Sequence, residues 1–204
     1  MELHGCKGCG SAVVEALLEL AGARYTRSIF DWNERAAWDR LRAINPLAQV
    51  PTLMLDDGTV LTESAGIALW IADRYPDAHL LPDETGARAL AYRWMVSFAT
   101  NVYGPIIVGD FPERWVDGEA AHASLKEHAL QRVKDAWRAF EERIEPAPYL
   151  LGATISALDV YVAMISRWRP GRAWIAQHCR KAIAAVEATE RHPVVASVWA
   201  RNFT

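Results

Sequence analysis

A chain of 204 residues, 51% of them hydrophobic and 23% charged, has the make-up of an ordinary globular protein and is long enough for two small domains. Its formal net charge of −3 excludes a general attraction to nucleic acid or to anionic membrane, and no apolar run approaches the roughly 20 residues that span a bilayer. Three cysteines do not make a disulfide scaffold. In a reducing compartment a close pair such as Cys6 and Cys9 is more often catalytic or metal-binding than a staple. Met1-Glu2-Leu3-His4-Gly5 shows no basic region leading into an apolar stretch, so a cytoplasmic location is expected.

The first eighty residues alternate short strands with helices. Val13, Ala16, Leu17 and Leu20 recur at helical spacing, with Gly22 as the stop. Arg24 to Phe30 reads as a strand. Thr52 to Leu55, Asp57-Gly58 and Thr59 to Leu61 read as a hairpin, because Asp-Gly supplies the positive φ of a tight turn. Ile67, Ala68, Ile71, Ala72 and Tyr75 form one apolar helical face, ended by Pro76. The order is βαβ, an irregular Trp-rich segment with one helix, then ββα, an α/β domain with a small mixed sheet.

After a turn-rich linker, Tyr75 to Asp83, the strand signals stop, which places a boundary near residue 82. Leu90, Trp94 and Phe98 begin a helix that Gly104-Pro105 is expected to kink or break. Leu125, Ala129, Val133, Ala136 and Phe140 mark a long amphipathic helix, closed by Pro146 and Pro148. Further helices are expected near residues 157–169 and 173–188, with a short one after Pro193. Ile155-Ser156-Ala157-Leu158-Asp159-Val160 fits a capping box with a hydrophobic staple, a structural signal. Arg167, Arg169 and Arg172, around Trp168 and Trp174, read as a solvated helix end.

Two segments carry chemistry. In Asn45-Pro46-Leu47-Ala48-Gln49-Val50-Pro51-Thr52-Leu53, a Pro directly before a strand belongs at a strand start or edge. Either it is only a turn, or it leaves the Val50 backbone free to pair with an extended peptide. Glu63-Ser64 sits at the entrance of the next helix, whose unpaired N–H groups suit a carboxylate. Ser64 adds a hydroxyl donor there, and Glu63 can accept from an α-ammonium group. The simpler alternative is that Thr62 or Ser64 caps the helix.

Together, Asn45-Pro-Leu-Ala-Gln-Val-Pro51, Asp57-Gly58, Leu61-Thr62-Glu63-Ser64-Ala65 and the Ser156–Asp159 capping box resemble soluble glutathione transferases of bacterial type, over essentially the whole chain and without assigning a class. The resemblance implies an N-terminal thioredoxin-like domain, residues 1–78, and a C-terminal all-helical domain, residues 86–204. It implies that Val50, beside a cis Val50–Pro51 bond, pairs with the cysteinyl part of glutathione. Gln49 would add a polar contact, and Glu63 and Ser64 would hold the γ-glutamyl end. Trp38, Trp32 and Arg35 are candidates for the glycyl carboxylate. Glutathione is the cosubstrate, no metal or other cofactor is implied, and a homodimer is expected.

Family members activate the thiol with a Tyr, Ser or Cys in the first strand-to-helix turn. Here that turn reads Gly5-Cys6-Lys7-Gly8-Cys9-Gly10-Ser11, without a Tyr. Where the beta class has its cysteine, this chain has Gly10, so Cys9 and Ser11 are the catalytic candidates, with Cys6 behind them. A thiol at a helix start is favoured as thiolate, whereas a hydroxyl there would donate to the glutathione sulfur. A Cys9 thiolate would repel a glutathione thiolate and favours mixed-disulfide chemistry. The Cys6–Cys9 spacing permits a dithiol, although its second cysteine, not its first, lies nearer the helix. A metal site from His4, Cys6 and Cys9 with His178 or Cys179 lacks a second close pair.

By resemblance, Asn101 and Tyr103 face the glutathione sulfur from the helical domain, with Thr100-Asn101 where the beta class carries a basic pair. Phe98 and Trp115 would help line an apolar pocket, as would Trp94, Phe111 and Trp168. Conjugation of glutathione to a hydrophobic electrophile is the leading expectation. Glutathione-dependent disulfide exchange through Cys9, and a non-catalytic interaction module, are its rivals.

Overall fold

The computed structural model describes residues 1–203. In chain order the strands and helices are β1 (Glu2–Cys6), α1 (Ser11–Leu20), β2 (Thr26–Phe30), α2 (Arg35–Ile44), β3 (Thr52–Met54), β4 (Val60–Leu61), α3 (Ser64–Arg74), α4 (Thr85–Phe98), α5 (Gly104–Asp110), α6 (Glu119–Glu141), α7 (Ala157–Ile165), α8 (Arg172–His178), α9 (Arg180–Arg191) and α10 (Pro193–Asn202). They fall into two compact units. One is Met1–Asp83 with the residues from Glu190 onward, and the other is Glu84–Thr189.

The first unit is a four-stranded mixed sheet in the order β2-β1-β3-β4. β2 runs parallel to β1, setting Cys6 opposite Phe30, and β3 is antiparallel to both β1 and β4. A parallel pair needs a crossover, and α1 supplies it. Residues 11–18 of α1 are all buried, because α3 and α10 both pack on it. α10 therefore belongs with the sheet, not with the helices that the sequence reading groups it with. Its docking is ionic as well as apolar. The fully buried Glu15 carboxylate accepts from Arg27 at 3.1 Å, Arg201 at 2.8 Å and the Asn202 amide at 3.0 Å.

The second unit is all helical. Trp94 and Phe98 of α4 meet Trp137 and Phe140 of α6 edge to face, with centroids 4.8–5.0 Å apart. α7 is buried along its whole length and starts with the expected capping box, in which the Asp159 carboxylate accepts from the Ser156 N–H at 2.8 Å. Gly104-Pro105 does not end the helix. A π-helical turn, Ala99–Tyr103, carries α4 into α5, with Gly104 N–H donating to Ala99 O, and this wider turn takes in Pro105, which has no N–H to donate. The expected 173–188 helix is divided at Cys179, and the Glu141 carboxylate caps the new start by accepting from Lys181 and Ala182 N–H at 2.8 and 2.9 Å.

Candidate functional site

The turn from β1 into α1 is held from several sides. Lys7 N–H donates to Phe30 O at 3.2 Å, Gly8 N–H to Asn202 O at 2.8 Å and Cys9 N–H to Cys6 O at 3.3 Å. Gly8 takes φ +71°, a left-handed conformation that glycine adopts without a Cβ penalty. Cys6 and Cys9 are joined as a disulfide, with Cα atoms 5.5 Å apart. Cys6 is fully buried and Cys9 half-buried. Among the described residues no three His, Cys, Asp or Glu side chains are grouped as a metal site.

Ser11 is in a different position from the one its rank as a thiol activator requires. It is fully buried, its hydroxyl donates to Cys6 O at 3.1 Å, and its side chain fills the space that a Cβ on Gly5 would occupy. Of the three activating candidates, Cys9 alone reaches the surface. It sits just before α1, where neither Gly10 nor Ser11 N–H has a hydrogen-bond partner among the described residues. Orphan donors at a helix start stabilise a negative sulfur.

Cys9, Trp38 and Val50 pack against one small core of Cys6, Phe30, Ala37 and Leu41. The Val50–Pro51 bond is cis, and no hydrogen bond among the described residues uses the Val50 backbone. The loop before it is organised by Asn45, which the sequence places at the head of this segment without a role for its side chain. That side chain is 4% exposed. Its amide donates to Gln49 O and to Thr52 Oγ1, both at 3.1 Å, and its oxygen accepts from Leu47 N–H at 3.2 Å. The Asn-Pro pair signals a turn, but only the fold reveals a buried amide. The Gln49 side chain is exposed.

At the start of α3, Ser64 is buried and Glu63 exposed. Neither Thr62 nor Ser64 is the cap. The N-cap position is Glu63, whose side chain makes no capping hydrogen bond. Glu63 has φ +64°, which a non-glycine residue holds only at a cost of about 1–3 kcal/mol. Such strain is concentrated at ligand sites. The N–H groups of Ala65 and Gly66 have no partners among the described residues, so a partly positive helix start and an exposed carboxylate stand side by side.

The glycyl-carboxylate candidates separate by what they already do. Trp38 donates its indole N–H to Trp32 O at 2.8 Å and stacks edge-on against Phe30 and Trp32, so it offers a ring and no free donor. Arg35 is exposed.

In the second unit, Phe98 is 1% exposed between Trp137 and Phe140, which makes it core rather than pocket wall. Asn101 and Tyr103 lie half-buried on the π-helical turn. The Asn101 amide donates to Thr100 Oγ1 at 3.0 Å, and the Tyr103 ring lies 4.9 Å from that of Trp168. Trp115 is 59% exposed. A cavity of about 260 Å³ in this unit is lined by Ile106, Leu130, Val133, Lys126 and Arg169 among others, and by none of those four residues. Arg172 donates to Ser166 O at 3.2 Å, so it works as a helix-end cap.

Comparison with known proteins gives this arrangement a context. The family model for the glutathione S-transferase N-terminal domain matches residues 3–79. An uncharacterised GST-like protein, YncG of Escherichia coli K12, is 32% identical over 99% of this chain and 98% of its own length. Glutathione S-transferase GstA of Escherichia coli O157:H7 is 32% identical over 62% of the chain and 60% of its own. Among solved structures, a glutathione transferase homologue from Sulfitobacter with bound glutathione superposes with a TM-score of 0.88 at 23% identity, covering 100% of this chain and 98% of that one. With a thioredoxin-like unit, a helical unit and a relative matched from end to end, the chain belongs to the glutathione S-transferase family.

Proposed function

We propose that the protein binds glutathione in extended form and exchanges it with disulfides through Cys9. The observation that carries the reading is the packing of half-buried Cys9 and of Val50 on one small core, which places the sulfur of the turn near an unpaired stretch of backbone just before β3. The cysteinyl part of glutathione pairs with the Val50 backbone. Its γ-glutamyl carboxylate takes the α3 start with Ser64, and its α-ammonium takes Glu63. Gln49 adds a polar contact, and Arg35, with Trp38 as a packing surface, meets the glycyl carboxylate. Cys9 thiolate then attacks the glutathionyl sulfur of a mixed disulfide and the other thiolate leaves.

Conjugation to a hydrophobic electrophile is the second reading. It is favoured by the Gly10 and Ser11 N–H groups, which have no partner among the described residues and can hold a glutathione thiolate without any side chain. One comparison separates the two. With reduced protein, Cys9→Ser is expected to abolish glutathione-dependent reduction of bis(2-hydroxyethyl) disulfide, at least 100-fold, while Ser11→Ala keeps it. Unchanged disulfide reduction in Cys9→Ser would refute the exchange reading, and conjugation of a chloronitrobenzene retained in that variant would establish the second.

A further inference from the structure

Resting on the reading of Cys9 as the nucleophile, we infer that Cys6 is a catalytic resolving cysteine. The enzyme then works as a two-cysteine disulfide reductase whose oxidised form is the internal Cys6–Cys9 disulfide. Burial sets the order of attack. Cys6 is 0% exposed whereas Cys9 is partly open, so an incoming disulfide meets Cys9 first. The distance sets the second step. The Cα atoms stand 5.5 Å apart, inside the range that a disulfide bridges.

Hydrogen bonds to three other elements hold the loop as well as the sulfur bond. Lys7 is tied to Phe30 in the neighbouring strand, Gly8 to Asn202 at the end of α10, and Cys9 to the Cys6 carbonyl, which also accepts from Ser11. None of these hydrogen bonds uses a sulfur atom, so reduction removes no donor or acceptor from the loop that holds the two cysteines together. A neighbour held in place reacts as though at a concentration far above that of free glutathione. The arrangement answers the objection that the second cysteine lies nearer the helix. Here the outer cysteine is the attacking one, and the strand-end cysteine waits beneath it.

The cycle balances. Cys9 thiolate attacks the glutathionyl sulfur of RS–SG, forming Cys9–SG and expelling RS⁻, which takes up a proton. Cys6, losing its proton, attacks Cys9 Sγ. The Cys9–SG bond breaks, the electron pair leaves with GS⁻, and GS⁻ is protonated. The internal disulfide is reopened by one glutathione thiolate attacking Cys9 Sγ and expelling Cys6. A second attacks the resulting glutathionyl sulfur, expelling Cys9 and releasing oxidised glutathione. The sum is RS–SG + GSH giving RSH + GSSG.

The test is intact-mass analysis after adding one equivalent of oxidised glutathione to fully reduced protein. The wild type is expected to lose two hydrogens and carry no adduct. Cys6→Ser, or Cys6→Ala if the serine variant does not fold, is expected to accumulate at least tenfold more glutathione adduct, mapping to Cys9. Equal adduct in wild type and Cys6 variant, or adduct on Cys6 in Cys9→Ser faster than on Cys9 in the Cys6 variant, would overturn the inference. A bridge that only staples the fold would make the reduced wild type inactive in bis(2-hydroxyethyl) disulfide reduction, and that result would overturn it too. Failure of the underlying reading looks different, because no variant then forms an adduct and Cys9→Ser stays active.

Discussion

A single buried amide, Asn45, holds the loop that presents Val50. Replacing it with Ala leaves the Leu47 N–H without its acceptor and Gln49 O with one donor fewer. The expected outcome is a loss of about 2 kcal/mol in urea unfolding, with weaker glutathione binding. The cysteines are equally individual. Burial, reinforced by the nearby Glu141 carboxylate, pushes the Cys179 thiol up to about 11. An aromatic disulfide reagent at pH 8 should therefore titrate Cys9 quickly in reduced native protein and reach Cys179 only on unfolding. Rapid labelling of Cys179 in the folded protein would contradict its burial. Which of Cys9 and Ser11 lies nearer the surface is not legible in the sequence for a simple reason. Each residue of a helix start turns the side chain by about 100°, so the position of the first turn decides which group faces outward.

The elements follow their sequence signals where those signals are local and depart from them where the cause is distant. The capping box at Ser156 is local, and the motif alone predicts it. Its Asp159 is buried, and burial pushes its ionisation up to about 6, against the opposing hydrogen bonds from Leu150 and Ser156. Between about pH 4 and pH 6 the folded protein keeps a proton on this group that the unfolded chain has released. Its contribution to stability thus falls as pH rises through that window and is level above it. The stability of the wild type relative to Asp159→Ala is expected to rise by up to about 3 kcal/mol from pH 7 to pH 4. A difference independent of pH would contradict the shift. The break at Cys179 could not be read from residues 173–188, because the cap that starts α9 is Glu141 on another helix.

At the scale of the whole molecule, the thioredoxin-like first unit and the helical remainder are legible because the hydrophobic period changes from strand to helix along the chain. The return of the C-terminus to the first unit is not. It depends on Glu15 meeting Arg201, 186 positions away, and no periodicity reports a pairing at that distance. Glu15→Ala leaves Arg27 and Arg201 without their shared carboxylate and is expected to cost about 2–4 kcal/mol, discounted because both arginines are about one-third exposed. A loss below 0.5 kcal/mol would show that apolar packing alone holds α10 on α1. Since Asn202 O also receives the Gly8 N–H, the same variant should slow closure of the Cys6–Cys9 bond.

Glutathione binding at the start of α3 is tested by isothermal titration of reduced protein with glutathione, beside Ser64→Ala. Wild-type protein is expected to bind saturably below millimolar glutathione, and the variant about 10- to 100-fold more weakly, the value of a hydrogen bond to a charged group. No binding at millimolar glutathione, or equal binding by both proteins, would contradict the site at the start of α3.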